Sequence, residues 1–171
     1  TGHMRGFSYS YYEYVWNVWA LLGDNDAPEM WRKSIPADNR YLAEDSGSGL
    51  CYGQANMNTG RRTGTTYGAL DAFLPALLAL SGDLPRAERL QASSFRMWNF
   101  YGIEPEVIDY KSMRIIARTD HLRPEIVEST YYLDHFTHDP PYRRMGEKMF
   151  ADFKQYCRPE ARYAALSDVV T

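Results

Sequence analysis

The residues best suited to do chemistry fall within one stretch, His121-Leu122-Arg123-Pro124-Glu125-Ile126-Val127-Glu128-Ser129-Thr130. Pro124 fits the first position of a helix, where its missing N–H is unpaired anyway and its φ is already suitable. Arg123 is then the expected cap residue. Glu125 falls in the first turn, where free N–H groups and the positive end of the helix dipole favour an ionised carboxylate able to accept a proton. Glu128, three residues on, shares its face. Two carboxylates with an arginine at a helix mouth suit general acid–base work. The same charges also stabilise an ordinary helix start, and spacing alone does not separate the two readings.

The elements that must position this stretch read as helices. The aromatic and aliphatic run 7–22 ends at Gly23, and a second helix is expected over 27–34, capped by Asp26 and stopped before Pro36. Residues 41–66 lose apolar periodicity and read as a long loop or irregular hairpin. The tip Gly60-Arg61-Arg62-Thr63-Gly64 lacks the lysine and glycine spacing of a phosphate loop and reads as solvated. Helical pattern returns over 67–81, kinked or stepped at Pro75, and again from Leu84, behind Asp83, to Gly102. The central helix spans 124–137. Asp139 and Pro140 open a last one, with the stripe Tyr142, Met145, Met149, Phe153 and Tyr156. Six helices in antiparallel succession, without a convincing strand pattern, make an all-α fold of helical hairpins.

Composition sets bounds. A chain of 171 residues, 44% apolar with net charge −3, is expected to form one soluble globular unit over 1–171. There is no basic excess for nucleic acid. Apolar runs such as 69–80 are too short and interrupted to span a membrane, and no signal peptide opens the chain, so a targeting segment is expected elsewhere if the protein is secreted. Cys51 and Cys157 define neither a metal knuckle nor a disulfide framework, although one bridge between them stays open. His135 and His138 lack the further ligands of a metal site. The 15% aromatic share suits core packing first and sugar stacking second.

The string Leu122 to Thr130 closely resembles the Leu-Arg-Pro-Glu-x-x-Glu-Ser signature of glycoside hydrolase family 47, the class I α-1,2-mannosidases, and within it the ER degradation-enhancing branch. Ser10-Tyr11-Tyr12-Glu13-Tyr14, Ala69-Leu70-Asp71-Ala72-Phe73-Leu74-Pro75, Tyr101-Gly102-Ile103-Glu104-Pro105-Glu106 and Thr137-His138-Asp139-Pro140 follow the family in order and spacing. The resemblance implies part of an (α/α)7 barrel, an activity on high-mannose N-glycans or glycoproteins by inverting hydrolysis, and a place in the secretory pathway, in the endoplasmic reticulum. By the same resemblance Glu125 is the general base, and Arg123, Glu128 and Glu13 belong to the substrate-binding set. Glu106 either faces the sugar or caps its own loop.

The departures matter equally. Where the family has a catalytic Asp, with an Arg two residues before it, this chain has Tyr9 and Phe7. A phenol does not replace an ionised carboxylate at neutral pH. The resemblance further implies Ca²⁺ on the threonine of a Thr-Glu-Ala-His-Pro motif and a second catalytic glutamate, neither of which this sequence contains. Three readings follow: a portion of a mannosidase completed by another segment or chain, and inactive alone; a degenerate relative that binds glycan or glycoprotein; or a helical interaction module.

Overall fold

In the computed structural model, residues 2–3, 6–24, 26–158 and 162–170 are described. Strand β1 (Gly2–His3) precedes helix α1 (Gly6–Leu22), which Gly23 ends with a φ of 70° that favours glycine. Helix α2 runs over Asp26–Tyr41, through Pro36, rather than stopping before it. Tertiary contacts hold its second half: the Tyr12 hydroxyl donates to Asp38 Oδ2 (3.1 Å) and the Tyr52 hydroxyl to Asn39 Oδ1. These anchors act against the loss of one backbone hydrogen bond at the proline.

The 41–66 region is an irregular hairpin region and not a long loop. Strands β2 (Ala43–Ser46) and β3 (Gly49–Tyr52) pair antiparallel, β4 (Gln54–Ala55) joins β1 to β5 (Arg62–Gly64), and β6 (Thr66–Gly68) follows. The expected 67–81 helix is stepped: a 3-10 turn over Ala69–Phe73 leads into α3 (Leu74–Leu80), with Pro75 in the first turn, where it is tolerated. Helix α4 (Leu84–Tyr101) starts at Asp83, whose carboxylate accepts from Arg86 N, and ends at Gly102, φ 86°. The all-α expectation does not include the β-ladder that follows. Strands β7 (Val107–Asp109) and β8 (Arg114–Ala117) complete a three-stranded sheet with β6. Helices α5 (Glu125–Thr137) and α6 (Pro140–Tyr156) follow, and Leu166 then bridges antiparallel to Asp120. Helices dominate, and the three sheets are small.

Two apolar clusters fill the interior. One joins α1 to α5 through Tyr12, Trp31, Leu74, Leu77, Leu90 and Leu133; the other lies between α4, the β6–β8 sheet, α5 and α6, with Met97, Trp98, Ile108, Ile126 and Met149. Each fully buried side chain of this size contributes roughly 1.5–3 kcal/mol. Cys51 and Cys157 both lie in the second cluster as free thiols, so the open bridge is not formed; burial pushes both up to about 11.

Helix α5 packs on the 3-10 turn, α3, α4 and α6. Ser129 fixes its height. Its hydroxyl donates to Ala72 O (2.5 Å) and accepts from Ala76 N (3.2 Å), one of the N–H groups that a helix start leaves unpaired. Thr130 Oγ1 accepts from the buried Gln91 amide (2.7 Å). At the end of α4 an added Cβ on Gly102 would meet the Tyr156 hydroxyl at 2.8 Å in a left-handed conformation. Gly102→Ala is therefore expected to lose roughly 1–2 kcal/mol, mostly from backbone strain, read as a lower urea midpoint at unchanged m-value.

Candidate active site

The turn before α5 is built by hydrogen bonds from its own backbone. Leu122 sits in the left-handed region at φ 57°, and its N–H donates to Asp120 Oδ1 at 2.7 Å. Pro124 then takes the cap position, with φ −85° and ψ −8°, and its carbonyl accepts the first helical bond from Glu128 N (2.9 Å). The expectation of Arg123 as cap residue was thus one position early. The ring already holds a near-helical φ, so the chain turns at Pro124 itself.

Arg123 makes a two-pronged bond to Glu106, Nη2 to Oε1 at 2.8 Å and Nε to Oε2 at 3.2 Å. Glu106 is held in turn by its backbone, donating to Thr119 O (2.7 Å) and accepting from Ala69 N (3.0 Å). Such a planar fork fixes orientation more than it adds stability at a partly exposed site, where about 1 kcal/mol is the usual yield. The structure shows Glu106 engaged by Arg123, a contact that neither expectation for it included.

Glu125 is the first residue of α5 and half-buried; one of its oxygens, Oε2, is enclosed with no hydrogen-bond partner among the described residues. Burial raises its pKa. Its own amide and the Arg123 guanidinium oppose that, and the Glu106 and Glu13 carboxylates add to it. Glu128 lies more open, yet partial desolvation of its carboxyl, then the charges of Glu13 and Glu125, push it up as well. Glu13, from α1, thus shares the field of the α5 pair. The side chains of Phe7 and Tyr9 lie outside the described residues, so the two departures in α1 have no described geometry.

Two buried carboxyls lie behind the site. Glu104 is 2% exposed and Asp120 is 3% exposed. Sequence reasoning passed over both because they read as loop polar residues. Among the described residues no group of three or more His, Cys, Asp and Glu could hold a metal ion. Two open cavities among the described residues lie away from Glu125: one of about 270 Å³ at the far end of α5, between Asp134, His138 and Arg143, and one of about 410 Å³ between Phe100, Tyr156 and Val169.

The helical hairpins carrying this site superpose on an alpha-1,2-mannosidase from Trichoderma reesei with a TM-score of 0.81, over 95% of this chain and 40% of that one, at 19% identity. The fold is therefore that of part of an (α/α)7 barrel. The family model of glycosyl hydrolase family 47 matches residues 1–171, and the chain belongs to that family. Similar proteins include alpha-mannosidase I MNS5 of Arabidopsis thaliana (32% identical, 95% of this chain and 28% of the relative) and ER degradation-enhancing alpha-mannosidase-like protein 1 of Schizosaccharomyces pombe (29%, 94% and 20%). A third is human mannosyl-oligosaccharide 1,2-alpha-mannosidase IB (27%, 96% and 28%). The chain thus spans between a fifth and a third of the length of these curated relatives. Among the described residues no helix is long and apolar enough to cross a membrane.

Proposed function

We propose that the chain is a portion of an α-1,2-mannosidase-like catalytic domain acting on high-mannose N-glycans in the secretory pathway, within the endoplasmic reticulum, and that Glu125 is its general base. The observation that carries this reading is Glu125 itself: a half-buried carboxylate on a helix start, with an enclosed unpaired oxygen, beside an arginine held rigidly by Glu106. In an inverting hydrolysis a base takes a proton from water as the water oxygen attacks the anomeric carbon, and an acid protonates the departing glycosidic oxygen. Glu125 serves the first step. Arg123, Glu128 and Glu13 border the sugar. Calcium, which the family resemblance implies, would hold sugar hydroxyls through oxygen ligands.

The acid has no counterpart among the residues of this chain, so the isolated chain is expected to be inactive. Its surface supports the partial-barrel reading. An accessible area of 9534 Å² exceeds the roughly 8,600 Å² usual for a monomer of this mass. The α1 face exposes Tyr14 at 68%, Leu21 at 81% and Leu22 at 78%. Further barrel helices, in a longer segment or a second chain, would cover such a face.

The test is mannose release from an α-1,2-linked high-mannose oligosaccharide at excess protein with calcium. No release is expected from the chain alone, and release is expected once the complementary part of a family 47 barrel is supplied. Release by the chain alone would show that its own residues complete the site. Tyr9 and Phe7 favour a second reading, a binder that has lost hydrolysis. Failure of the completed barrel to hydrolyse, with mannose still raising its melting temperature, would establish that one.

A further inference from the structure

We infer that residues 164–170 form a strap that positions the 118–124 turn, and that Arg118, Leu166 and Asp168 are thereby positioning residues for Arg123 and Glu125. The mechanical part stands on contacts alone. Its bearing on catalysis rests on the reading of Glu125 as the base.

The chain between β8 and α5 forms no helix or strand of its own, so its shape is set by what it is bonded to. It is bonded on both edges. On one, Thr119 O accepts from Glu106 N at 2.7 Å. On the other, Asp120 and Leu166 exchange both backbone bonds, at 3.0 and 2.9 Å, in an antiparallel bridge, and Arg118 O accepts from Val169 N at 2.9 Å. Side chains close the same ladder. Arg118 Nε donates to Asp168 Oδ2 at 2.7 Å, and Asp168 Oδ1 accepts from Val170 N at 2.8 Å. The strap is tied down at its start as well, where Ala164 N donates to Cys157 O just beyond α6 (2.8 Å).

The turn depends on these bonds because of Leu122. A residue with a Cβ at φ 57° is strained, and such a conformation persists only where its surroundings over-determine it. The bond that holds it runs from its N–H to Asp120 Oδ1 at 2.7 Å. That acceptor is only as well placed as the Asp120 backbone, and both backbone groups of Asp120 are bonded to Leu166. Arg123 is the next residue. Relaxation at Leu122 therefore swings its guanidinium off Glu106 and frees the start of α5. Packing beneath the strap is incomplete: Leu166 and Val169 reach the second apolar cluster, yet a cavity of about 410 Å³ opens between the strap and Phe100, Tyr101 and Tyr156. The Arg118–Asp168 pair is partly exposed. An element held this way opens more readily than a core helix, and the site turn opens with it.

The experiment is hydrogen exchange of the whole chain by NMR, on the wild type, Leu166→Pro and Asp168→Asn, with the Arg123 Nε–H followed beside the backbone amides. In the wild type the amides of Leu166, Val169, Asp120 and Leu122 should open as one unit, with protection within about threefold of one another and below that of Trp98 in α4. Leu166→Pro deletes the donor to Asp120 O and should speed exchange at Leu122 and at Arg123 Nε by roughly tenfold, the yield of losing one or two hydrogen bonds. Asp168→Asn keeps an oxygen for Val170 and loses only the charge that faces Arg118, so about a threefold change is expected at the same two positions. Met97 and Trp98 should not change in either variant. The Arg123 signal separates positioning from general loosening, which would speed α4 equally. Unchanged exchange at Leu122 and Arg123 Nε in a folded Leu166→Pro, or equal acceleration in α4, would overturn the inference. Wild-type protection at Leu122 that differs from Leu166 by more than about threefold would do the same, and this comparison decides the matter even if Leu166→Pro does not fold. No readout uses activity, so failure of the mannosidase reading and failure of the strap are told apart.

Discussion

Trp98→Ala is expected to lower stability by about 3–5 kcal/mol, equivalent at this chain length to roughly 10–15 °C in melting temperature. Trp98 is fully buried at the centre of the second apolar cluster. Its indole Nε1 donates to Asp152 Oδ2 at 2.7 Å, and its ring meets Phe153 edge to face at 5.2 Å, so one side chain ties α4 to α6. Alanine would leave a cavity in a close-packed interior and remove one donor from a carboxylate that is 7% exposed. Lys148 Nζ, at 2.7 Å from the same oxygen, keeps Asp152 from being stranded. Trp98→Phe retains most of the volume and loses chiefly the hydrogen bond, so about 1–2 kcal/mol is expected. Urea unfolding of the three proteins checks this, and a loss below 1 kcal/mol in the alanine variant would show that α4 and α6 are not held together here.

The contrast between Asp83 and Pro36 shows which parts of the fold local chemistry discloses. Asp83 caps α4 through its own side chain and Gly102 ends the helix through its own φ, so both boundaries are written within one turn of sequence. Pro36 breaks that rule because α2 is held by Tyr12 and Tyr52, residues of α1 and β3. Strands β7 and β8 have three and four residues, too few to show an alternating period; their stability comes from pairing with each other and with β6. The site divides in the same way. Glu125 and Glu128 are visible because helix geometry relates residues three apart. The partner of Arg123 lies seventeen residues upstream, in the loop before β7, where no spacing rule applies. Glu104 and Asp120 have the composition of a loop, and only their burial makes them notable. Ser129 belongs to the signature string, yet its hydroxyl serves α3 rather than a substrate.

Glu125→Gln separates the base from the bland helix-start residue because the two readings give opposite signs in stability. If Glu125 only complemented the dipole of α5, removing its charge would cost roughly 0.3–1 kcal/mol. Burial instead raises its pKa, so its charged form is disfavoured in the fold, and a neutral glutamine of the same shape is expected to leave the melting temperature at pH 7 unchanged or higher. A residue kept ionised against its own stability is what a base requires. In a completed barrel the same variant should lose about 10²–10⁴-fold in mannose release, the usual yield of a positioned general base. The pH profile supplies a second sign. Water activation needs the ionised carboxylate, so kcat/KM should rise with pH through the raised Glu125 ionisation, and that limb should vanish in Glu125→Gln. Loss of activity joined to lower stability at pH 7 would return Glu125 to the role of a helix-start residue; loss of activity at unchanged or higher stability would assign it the proton transfer.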